Sequence, residues 1–268
     1  MTLYPNFSSP SLSLTSPSLS VSKLLLSIKV QDIKSVGLCL SISKRFFSLI
    51  RMVEDILIKV DFNLRLSLSS PQTGVSEVTH HSPVEVLKSF SSIRTLKIQL
   101  PNGELRFGDG VLLKWRAEFG TSLESCVILG LPFGELRKLR VVWTISSLIA
   151  ASARHFVMRQ IISEHPGLER LTITYCDNQG VLSINSGQLS EIRVKPISAS
   201  ASANRTQVPA LSMKLRYAPY IELPNGMGFK GATLEADQFV SMAFDGAFRE
   251  VAKLLVKRKT HILEMNSF

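Results

Sequence analysis

The sequence predicts an α+β fold, in which a short helical module precedes an irregular, leucine-rich-repeat-like α/β domain with one long helix. Three observations support this prediction. Apolar residues recur three or four positions apart early in the 268-residue chain, as on one face of a helix. Short runs rich in β-branched residues alternate with helical ones later in the chain. The segment from Thr144 to His165 gives the strongest helix signal, and it ends before Pro166 and Gly167.

Composition divides the chain into four parts. Residues 1–22 are rich in Ser and Pro and contain no acid, which predicts a disordered tail; an organellar transit peptide is the alternative, although arginine is absent. Residues 23–66 form the helical module. Residues 67–85 have the Ser, Pro and Gly content of a linker, and residues 86–268 form the C-terminal α/β domain.

Two short helices are predicted within the module. The apolar positions are spaced three or four apart except for a two-residue step between Leu40 and Ile42, which indicates a bend between the helices. Two short helices cannot bury their apolar faces alone, so they need a partner surface. The following run, "MVEDILIKVDFNLRL", is compatible with either a helix or a strand.

The C-terminal domain alternates predicted strands and helices. The strand-like runs are "IRTLKIQL" (93–100), "SLESCVILG" (122–130), "LERLTITYC" (168–176), "LSEIRV" (189–194) and "LSMKLRYAPYIEL" (211–223). Besides the long helix, "LKWRAEFG" (113–120) predicts a short helix and "DGAFREVAKLLVKRKTHILEM" (245–265) a final one with cations in its last turns. The Leu-rich strands recur too irregularly for a regular horseshoe.

The charge of the chain permits several partners without choosing among them. A formal net charge of +10 allows contact with nucleic acid, anionic lipid or acidic proteins. The cations Lys257, Arg258 and Lys259 fit a nuclear localisation patch, a phosphate contact or the C-terminal end of a helix. No aromatic interleaving accompanies them, which disfavours nucleic-acid binding. No run of eighteen apolar residues is present, which argues against a membrane span.

Glycine and histidine residues are the candidates for a nucleotide site, a metal site or a catalytic base. The run "GMGFKG" (226–231) fits G-x-G-x-x-G, but the turn signal before it and the β-like run after it favour a hairpin over a nucleotide site. His80 and His81 lie in the predicted linker without a partner at metal-ligand spacing. His155 is interpreted as a helix-packing residue rather than a base.

The cysteines give no sign of a metal or disulfide framework. Cys39, Cys126 and Cys176 lie far apart without zinc spacing, which predicts no metal site and suits a reducing compartment. The sequence also contains no catalytic motif. It therefore predicts a non-catalytic protein with no cofactor.

The segment "VQDIKSVGLCLSISKRFFSLI" resembles the second half of an F-box, the helical module that docks a receptor subunit onto a Skp–cullin ubiquitin ligase. The resemblance rests on an Asp between hydrophobic residues, followed by an Ile-Ser-Lys-Arg-aromatic run. An F-box usually opens with Leu-Pro and an acid, whereas "SPSLSVSKLLLSIK" stands in that place here. The strings "WRAEFG", "SCVI", "RVVWTISSLIAASARHFVMR", "LRYAP", "ATL" and "LEMNSF" extend the similarity to a plant group that includes the auxin-up-regulated F-box proteins.

The resemblance implies a substrate-receptor subunit of an SCF-type E3 ligase. Its expected partners are a Skp-type adaptor, cullin through that adaptor, and an unknown protein substrate, with a role in auxin response. The residues expected to contact the adaptor are Val30, Val36, Cys39, Ile42 and Phe46. The expected location is the nucleus, the cytoplasm or both. The alternative is a basic, repeat-like scaffold that binds protein or nucleic acid without a ligase function.

Overall fold

The structure, a computed structural model, describes residues 27–30, 50–60, 87–101, 111–132, 140–195, 197–198, 204–236 and 242–268. Its strands are β1 (Ser27–Val30), β2 (Asp55–Lys59), β3 (Thr95–Leu100), β4 (Val111–Phe119), β5 (Leu123–Pro132), β6 (Arg170–Tyr175), β7 (Gly180–Ile184), β8 (Leu211–Glu222), β9 (Gly228–Ala236) and β10 (Thr260–Met265). The helices that lie wholly within these ranges are α1 (Arg140–Val157), α2 (Arg159–Glu164), α3 (Ser186–Val194) and α4 (Gly246–Val256).

The strands form one mixed sheet in the order β1-β2-β3-β6-β7-β4-β5-β9-β8-β10. Neighbours β1, β2, β3 and β6 run parallel, and β4 is parallel to β7. The other neighbouring pairs are antiparallel. Because parallel neighbours need long crossover connections, β1, β2, β3 and β6 are well separated in the sequence. The predicted mixed α/β architecture with one long helix is confirmed.

Alternating burial along the strands places the main core on one face of the sheet. Leu96, Ile98, Leu171 and Ile173 face this core from β3 and β6, and α1 packs over β4, β5 and β7. Trp143 of α1 is fully buried against the backbone of β5. The strong helix signal of α1 therefore comes from the apolar side chains that it packs against the sheet.

Helix α4 covers the opposite face at the antiparallel end of the sheet. Val251 and Leu255 of α4 pack with Leu129 of β5 and with Leu234 of β9 in a second buried cluster. This helix lies against β8 and β9. The two helices α1 and α4 thus enclose the antiparallel strands from both sides.

Buried polar groups on α1 are tied to the strands and loops below it. Thr144 donates a hydrogen bond to the carboxylate of the buried Glu235 in β9. His155 stacks on Phe119 with ring centroids 4.7 Å apart, and its Nδ1 lies 2.7 Å from Thr206 Oγ1. The interpretation of His155 as a packing residue is confirmed.

Several predicted elements are confirmed. The runs at 93–100, 168–176 and 211–223 contain β3, β6 and β8, and the run at 122–130 contains all of β5 except its last two residues. The "GMGFKG" run belongs to a hairpin: β8 and β9 pair antiparallel, and Gly226 has a φ of 82° in the connecting turn. This hairpin leaves no helix N-terminus for a phosphate, so the preference for a hairpin over a nucleotide site is confirmed.

Other predicted elements are wrong. The run at 113–120 lies in strand β4 rather than in a helix, and the run at 189–194 lies in helix α3 rather than in a strand. The predicted final helix ends at Val256, and Thr260–Met265 form edge strand β10 beside β8. Helix α1 begins at Arg140, earlier than the predicted Thr144.

The predicted helical module is also corrected where the structure describes it. Ser27–Val30 form a strand rather than a helix, because Ile28 pairs with Ile56 of β2 in a parallel ladder. Strand β2 in turn pairs with β3 of the C-terminal part, so both belong to one sheet. Residues 31–49, which hold most of the module, lie outside the described residues, and the domain boundaries stay predictions.

One helical segment meets the length and composition of a membrane span. Val141–Glu164 is apolar enough by hydropathy, but half of its most apolar window is buried inside the protein. The backbone also breaks between α1 and α2 at Met158. Packing over the sheet accounts for this apolar composition, since a core helix passes the same test.

Candidate functional site

The predicted adaptor contact falls mostly outside the described residues. Val30 ends strand β1, where it pairs with Ile58 of β2. Val36, Cys39, Ile42 and Phe46 lie outside the described ranges. Of the five residues, the structure describes only the backbone of Val30. Their joint contact with an adaptor therefore stays a prediction.

The parallel strands present one face of the sheet that α1 does not cover. Residues on this face alternate with core residues: in β2, Leu57 and Lys59 are half-buried, whereas Ile56 and Ile58 are buried. Lys97 of β3 is exposed between two buried neighbours in the same way. We call this surface of β2, β3, β6, β7 and β4 the open face; most of its side chains are half-buried, and Thr174 of β6 is buried.

The strand registers align side chains of the open face into rows that cross the strands. One row contains Leu57, Lys97, Thr172, Ser183 and Glu118, one from each strand. The next row contains Lys59, Gln99, Thr174, Val181 and Arg116. Side chains directly opposite in neighbouring strands share a face, so each row is contiguous. We call the second row the donor row, because four of its members carry hydrogen-bond donors and none is a carboxylate.

Two buried polar atoms in the donor row have no hydrogen-bond partner among the described residues. One is the hydroxyl of Thr174, whose side chain is buried. The other is Nε of Arg116, whose Nη2 lies 3.8 Å from Glu118 Oε1. A buried polar group left unpaired costs about 1–3 kcal/mol.

Two lysines, Lys59 and Lys97, lie in the two rows of the open face. Within the described part of the chain, neither Lys59 nor Lys97 makes an ion pair or a side-chain hydrogen bond. Lys97 is exposed and Lys59 is half-buried. Their ammonium groups add two unpaired positive charges to the guanidinium of Arg116.

Lys114 forms the border between the open face and α4. Its Nζ donates a 3.0 Å hydrogen bond to the Asn178 carbonyl and lies 4.6 Å from the centre of the Phe248 ring. Burial lowers the pKa of Lys114, while the nearby Asp177 carboxylate opposes that shift. The lysine is therefore engaged in the fold, unlike Lys59 and Lys97.

An acidic and basic network closes the other end of the strands. Arg94 precedes β3, and its Nε donates a 2.9 Å hydrogen bond to Glu169 Oε1. Its Nη1 lies 3.8 Å from Glu54 Oε2, so one guanidinium bridges the starts of β2, β3 and β6. The hydrogen bonds that Arg94 donates to Glu169, together with the charges of the nearby acids, raise the pKa of Arg94. This network leaves the carboxylates paired at the strand starts, away from the donor row.

A cleft of about 760 Å³ between α1, α2 and α3 is a second accessible surface. Its walls are mostly apolar, with Phe156, Ile162 and Ile192 among them. Arg193 also lines it, but its Nη2 donates hydrogen bonds to the carbonyls of His165 and Leu168. The guanidinium of Arg193 is therefore engaged in joining α3 to the loop that precedes β6.

The described residues contain no cluster of three or more His, Cys, Asp or Glu side chains that could hold a metal ion. Burial, reinforced by Arg159, lowers the pKa of His155 to about 4, so the ring is neutral at pH 7. Cys126 is buried and Cys176 is exposed.

Comparison with known proteins identifies the family of the chain. No family model and no solved structure matches the chain. The F-box protein At4g18380 of Arabidopsis thaliana is 41% identical over 91% of this chain and 91% of its own length. The F-box protein At1g30200 of the same plant is 40% identical with the same coverage, and the F-box protein AUF2 is 32% identical over 90% of this chain and 95% of its own length. The chain belongs to the F-box protein family of plants.

The family match includes the segment that resembles an F-box. The part of this F-box protein outside the 91% match is shorter than the stretch before Val30. Residues 30–46 therefore lie within the matched span wherever that span begins. The alignment with At4g18380 runs over 347 positions, more than the 268 residues of this chain, so the relative carries inserted segments.

Sequence reasoning missed the donor row. Its members come from positions as distant as Lys59 and Thr174, and no motif joins them. The available signal was the alternation of polar and apolar residues in "TLKIQL" and in "RLTITY". That alternation marks one polar face on each strand, but only the pairing register places those faces in one row.

Proposed function

We propose that this F-box protein is a substrate-receptor subunit of an SCF-type cullin E3 ubiquitin ligase. The observation that carries the proposal is the similarity to F-box proteins over nine-tenths of the chain. Such a subunit joins a target protein to a Skp-type adaptor and through it to cullin. It takes no part in the transfer chemistry itself, so the proposed role is non-catalytic and needs no cofactor.

The proposed adaptor contact lies within residues 30–46. Its members are Val30, at the end of strand β1, and Val36, Cys39, Ile42 and Phe46. Short helices with one apolar face gain stability by burying that face against a partner. Lys44 and Arg45 would then form the solvated edge of the contact and keep the free module soluble.

The rest of the chain would hold the substrate. Strands β1, β2, β3 and β6 lie side by side in chain order and run parallel, which supports the leucine-rich-repeat-like interpretation of this arm. The stretches that join them are unequal, which fits an irregular array. We also propose that the protein acts in the nucleus, the cytoplasm or both, in auxin response.

Co-purification with a Skp-type adaptor tests the proposed contact. We expect the wild-type chain to retain the adaptor and the double variant Ile42→Asp, Phe46→Asp to lose it, because two charges in an apolar contact oppose desolvation. A matched control is Ile262→Asp, which places the same charge on a side chain that is 70% exposed in β10. Full adaptor binding by the double variant would contradict the assigned contact.

A basic scaffold without a ligase function is the second candidate, and the net charge of +10 favours it. This candidate predicts no adaptor binding and an affinity for nucleic acid that falls steeply with salt. Titration of a fluorescein-labelled single-stranded DNA at two salt concentrations, beside the adaptor experiment, separates the two candidates.

A further inference from the structure

We propose that strand β10 is a docking edge, to which an extended segment of a partner polypeptide adds as one more antiparallel strand, with its acidic residues beside the cations that precede β10. This inference rests on the proposed receptor function, because it names the chemistry of the polypeptide to be received. Strand β10 ends the sheet opposite to β1, which holds Val30 of the proposed adaptor contact. The two surfaces can therefore be tested separately.

Strand β10 is an exposed edge of the sheet. It is the last strand in the sheet order and pairs with β8 alone among the described strands. Four of its six residues are exposed, and the other two, Leu263 and Met265, are half-buried. The side chain of Ile262 is 70% exposed. Solvent reaches every side chain of this strand, so a partner can reach it too.

A hydrogen-bonded pair just beyond β10 fixes the direction of its backbone groups. Phe268 donates to the carbonyl of Val208 at 3.0 Å, and Val208 donates to the carbonyl of Phe268 at 2.9 Å. This pair continues the register that joins Met265 to Leu211. In an antiparallel ladder, such doubly bonded pairs alternate with pairs that exchange no hydrogen bond. Counted back from Phe268, every second residue of β10 therefore bonds to β8.

The alternation directs the backbone groups of three residues away from the sheet. The residues of β10 that bond to β8 are Thr260, Ile262 and Glu264. The N–H and C=O groups that point outward are those of His261, Leu263 and Met265. Within the described part of the chain, no other backbone segment pairs with them. Each outward residue offers one donor and one acceptor, which an added strand would pair.

Strand β10 lacks the features by which proteins usually protect an edge. Protected edges carry lysines, prolines or β-bulges that prevent pairing with another chain. The sequence of β10, "THILEM", contains neither lysine nor proline, and its register with β8 is continuous. Glu264 is its only carboxylate and lies near its C-terminal end. An unprotected edge with an exposed Ile262 favours the addition of a strand.

Cations surround the beginning of β10. Three consecutive cations lie exposed between the end of α4 and the strand: Lys257, Arg258 and Lys259. Lys214 and Arg216 of β8 pair with the first half of β10. None of these five residues makes an ion pair within the described part of the chain. Acidic residues of an occupant at this end would complement the positive charge.

Charge and topology select the occupant. A second copy of this chain would bring a net charge of +10 towards the edge, and repulsion between like charges opposes that pairing. The neighbours β5, β9, β8 and β10 are all antiparallel, so an added strand continues the pattern by running antiparallel to β10. Its C-terminal end then lies beside Lys259. We therefore assign a separate polypeptide whose extended segment is followed by acidic residues.

Fluorescence anisotropy on the full-length wild-type chain tests the proposal. The probe is the fluorescein-labelled peptide Thr-Val-Thr-Val-Thr-Val-Glu-Glu-Glu, because β-branched residues favour an extended strand. A comparison probe has Gln in place of each Glu. We expect the acidic probe to bind and the Gln probe to bind about fivefold more weakly, since each exposed ion pair contributes little.

Two methylated forms of the acidic probe give the signature of strand addition. One carries N-methyl groups on its three valines, and the other carries them on its three threonines. Only every second residue of an added strand directs its N–H group to β10. We expect one form to bind more than about tenfold more weakly, because three hydrogen bonds are lost, and the other to change by less than about twofold.

A proline in β10 tests the same edge from the side of the protein. His261→Pro removes one outward N–H group, and proline is tolerated on an edge strand where its nitrogen faces solvent. We expect the variant to bind the acidic probe about tenfold more weakly. The matched control, His261→Val, keeps the N–H group and should change binding by less than about twofold. Equal urea midpoints show that both variants fold.

Charge substitutions test the position of the acids. Lys257→Gln with Lys259→Gln should weaken binding of the acidic probe about fourfold. The matched control is Lys59→Gln with Lys97→Gln, which removes the same charge from β2 and β3, eight and seven strands away from β10. Salt screens charges at that separation, so we expect a change smaller than about twofold.

Three results would overturn the proposal. The first is the absence of binding up to about 1 mM acidic probe, the weak end of specific recognition. The second is equal binding of the two methylated probes, which would show attraction by charge without strand addition. The third is a dimer in light scattering that His261→Pro dissociates, which would assign the edge to a second copy of the chain.

Adaptor co-purification separates this inference from the receptor function. The variant His261→Pro should still retain the adaptor, because β10 and β1 lie at opposite ends of the sheet. A wild-type chain that binds the adaptor but not the acidic probe would refute only this inference. A wild-type chain that binds the probe but no adaptor would refute only the receptor function.

Discussion

His155 makes the stability of this protein fall in mild acid. Its ring is fully buried, stacks on Phe119 and contacts Thr206. Burial, together with the nearby Arg159, lowers its pKa from 6.5 to about 4 in the folded protein. The unfolded chain therefore binds a proton at this ring at a higher pH than the folded one does, and protonation favours unfolding.

The sign and size of the effect follow from these two pKa values. Above pH 6.5 the ring is neutral in both states, and its contribution to stability is fully present. As the pH falls below 6.5 the unfolded state gains the proton first, and the loss is complete only below the folded pKa of about 4. Linkage gives a decrease of about 2 kcal/mol in the free energy of unfolding between pH 7.5 and pH 5.0.

Urea denaturation of the wild type and of His155→Gln at these two pH values measures the effect. Glutamine retains a polar side chain near Thr206 but does not titrate, so we expect the drop to be about 2 kcal/mol smaller in the variant. Burial also lowers the pKa of His165, so part of the drop persists in both proteins with the same sign. Equal drops in the two proteins would refute the assignment to His155.

Two further substitutions test the packing of the sheet and its helices. Gly180→Ala should lower the free energy of unfolding by about 1–3 kcal/mol in urea titrations, because its Cβ would lie 2.2 Å from Cε2 of the buried Trp115; an unchanged midpoint would show that the indole moves freely. Asn185→Ala should cost about 1 kcal/mol in the same assay, because the Asn185 side chain and Gln188 form a reciprocal capping box at the start of α3; a loss below the error would mean that the cap contributes nothing.

Strands with a clear apolar core face could be predicted from the sequence. In β3, buried Leu96 and Ile98 alternate with polar neighbours, and the pattern is visible in the letters. The hairpin of β8 and β9 was predictable from its turn residues, since Gly226 adopts the positive φ that glycine tolerates. In these elements the local residue pattern was sufficient to predict the secondary structure.

The wrong predictions have identifiable causes. In β4 the residues Lys, Arg, Ala and Glu favour helix by propensity, but Leu113, Trp115, Ala117 and Phe119 are buried at period two and the sheet prevails. In α3 the capping box at Asn185 was the overlooked signal. Strand β10 depends on an edge of β8 that no local pattern in "THILEM" reveals.

One part of the candidate site could be predicted from the sequence, and the other part could not. The F-box resemblance could be seen in one short segment of the sequence, and the comparisons confirm the family. The open face could not be predicted, because it depends on the register of five strands whose residues are scattered from Lys59 to Ser183. Which side chains meet in a row is a property of the fold rather than of any segment.

The most direct test of the receptor function is the mass of the complex that the purified chain forms with a purified Skp-type adaptor. Size-exclusion chromatography with light scattering gives that mass. The receptor function predicts one complex whose mass is the sum of one adaptor and one 29.7 kDa chain. Separate elution of the two proteins, each loaded at about 10 μM, would contradict the receptor function.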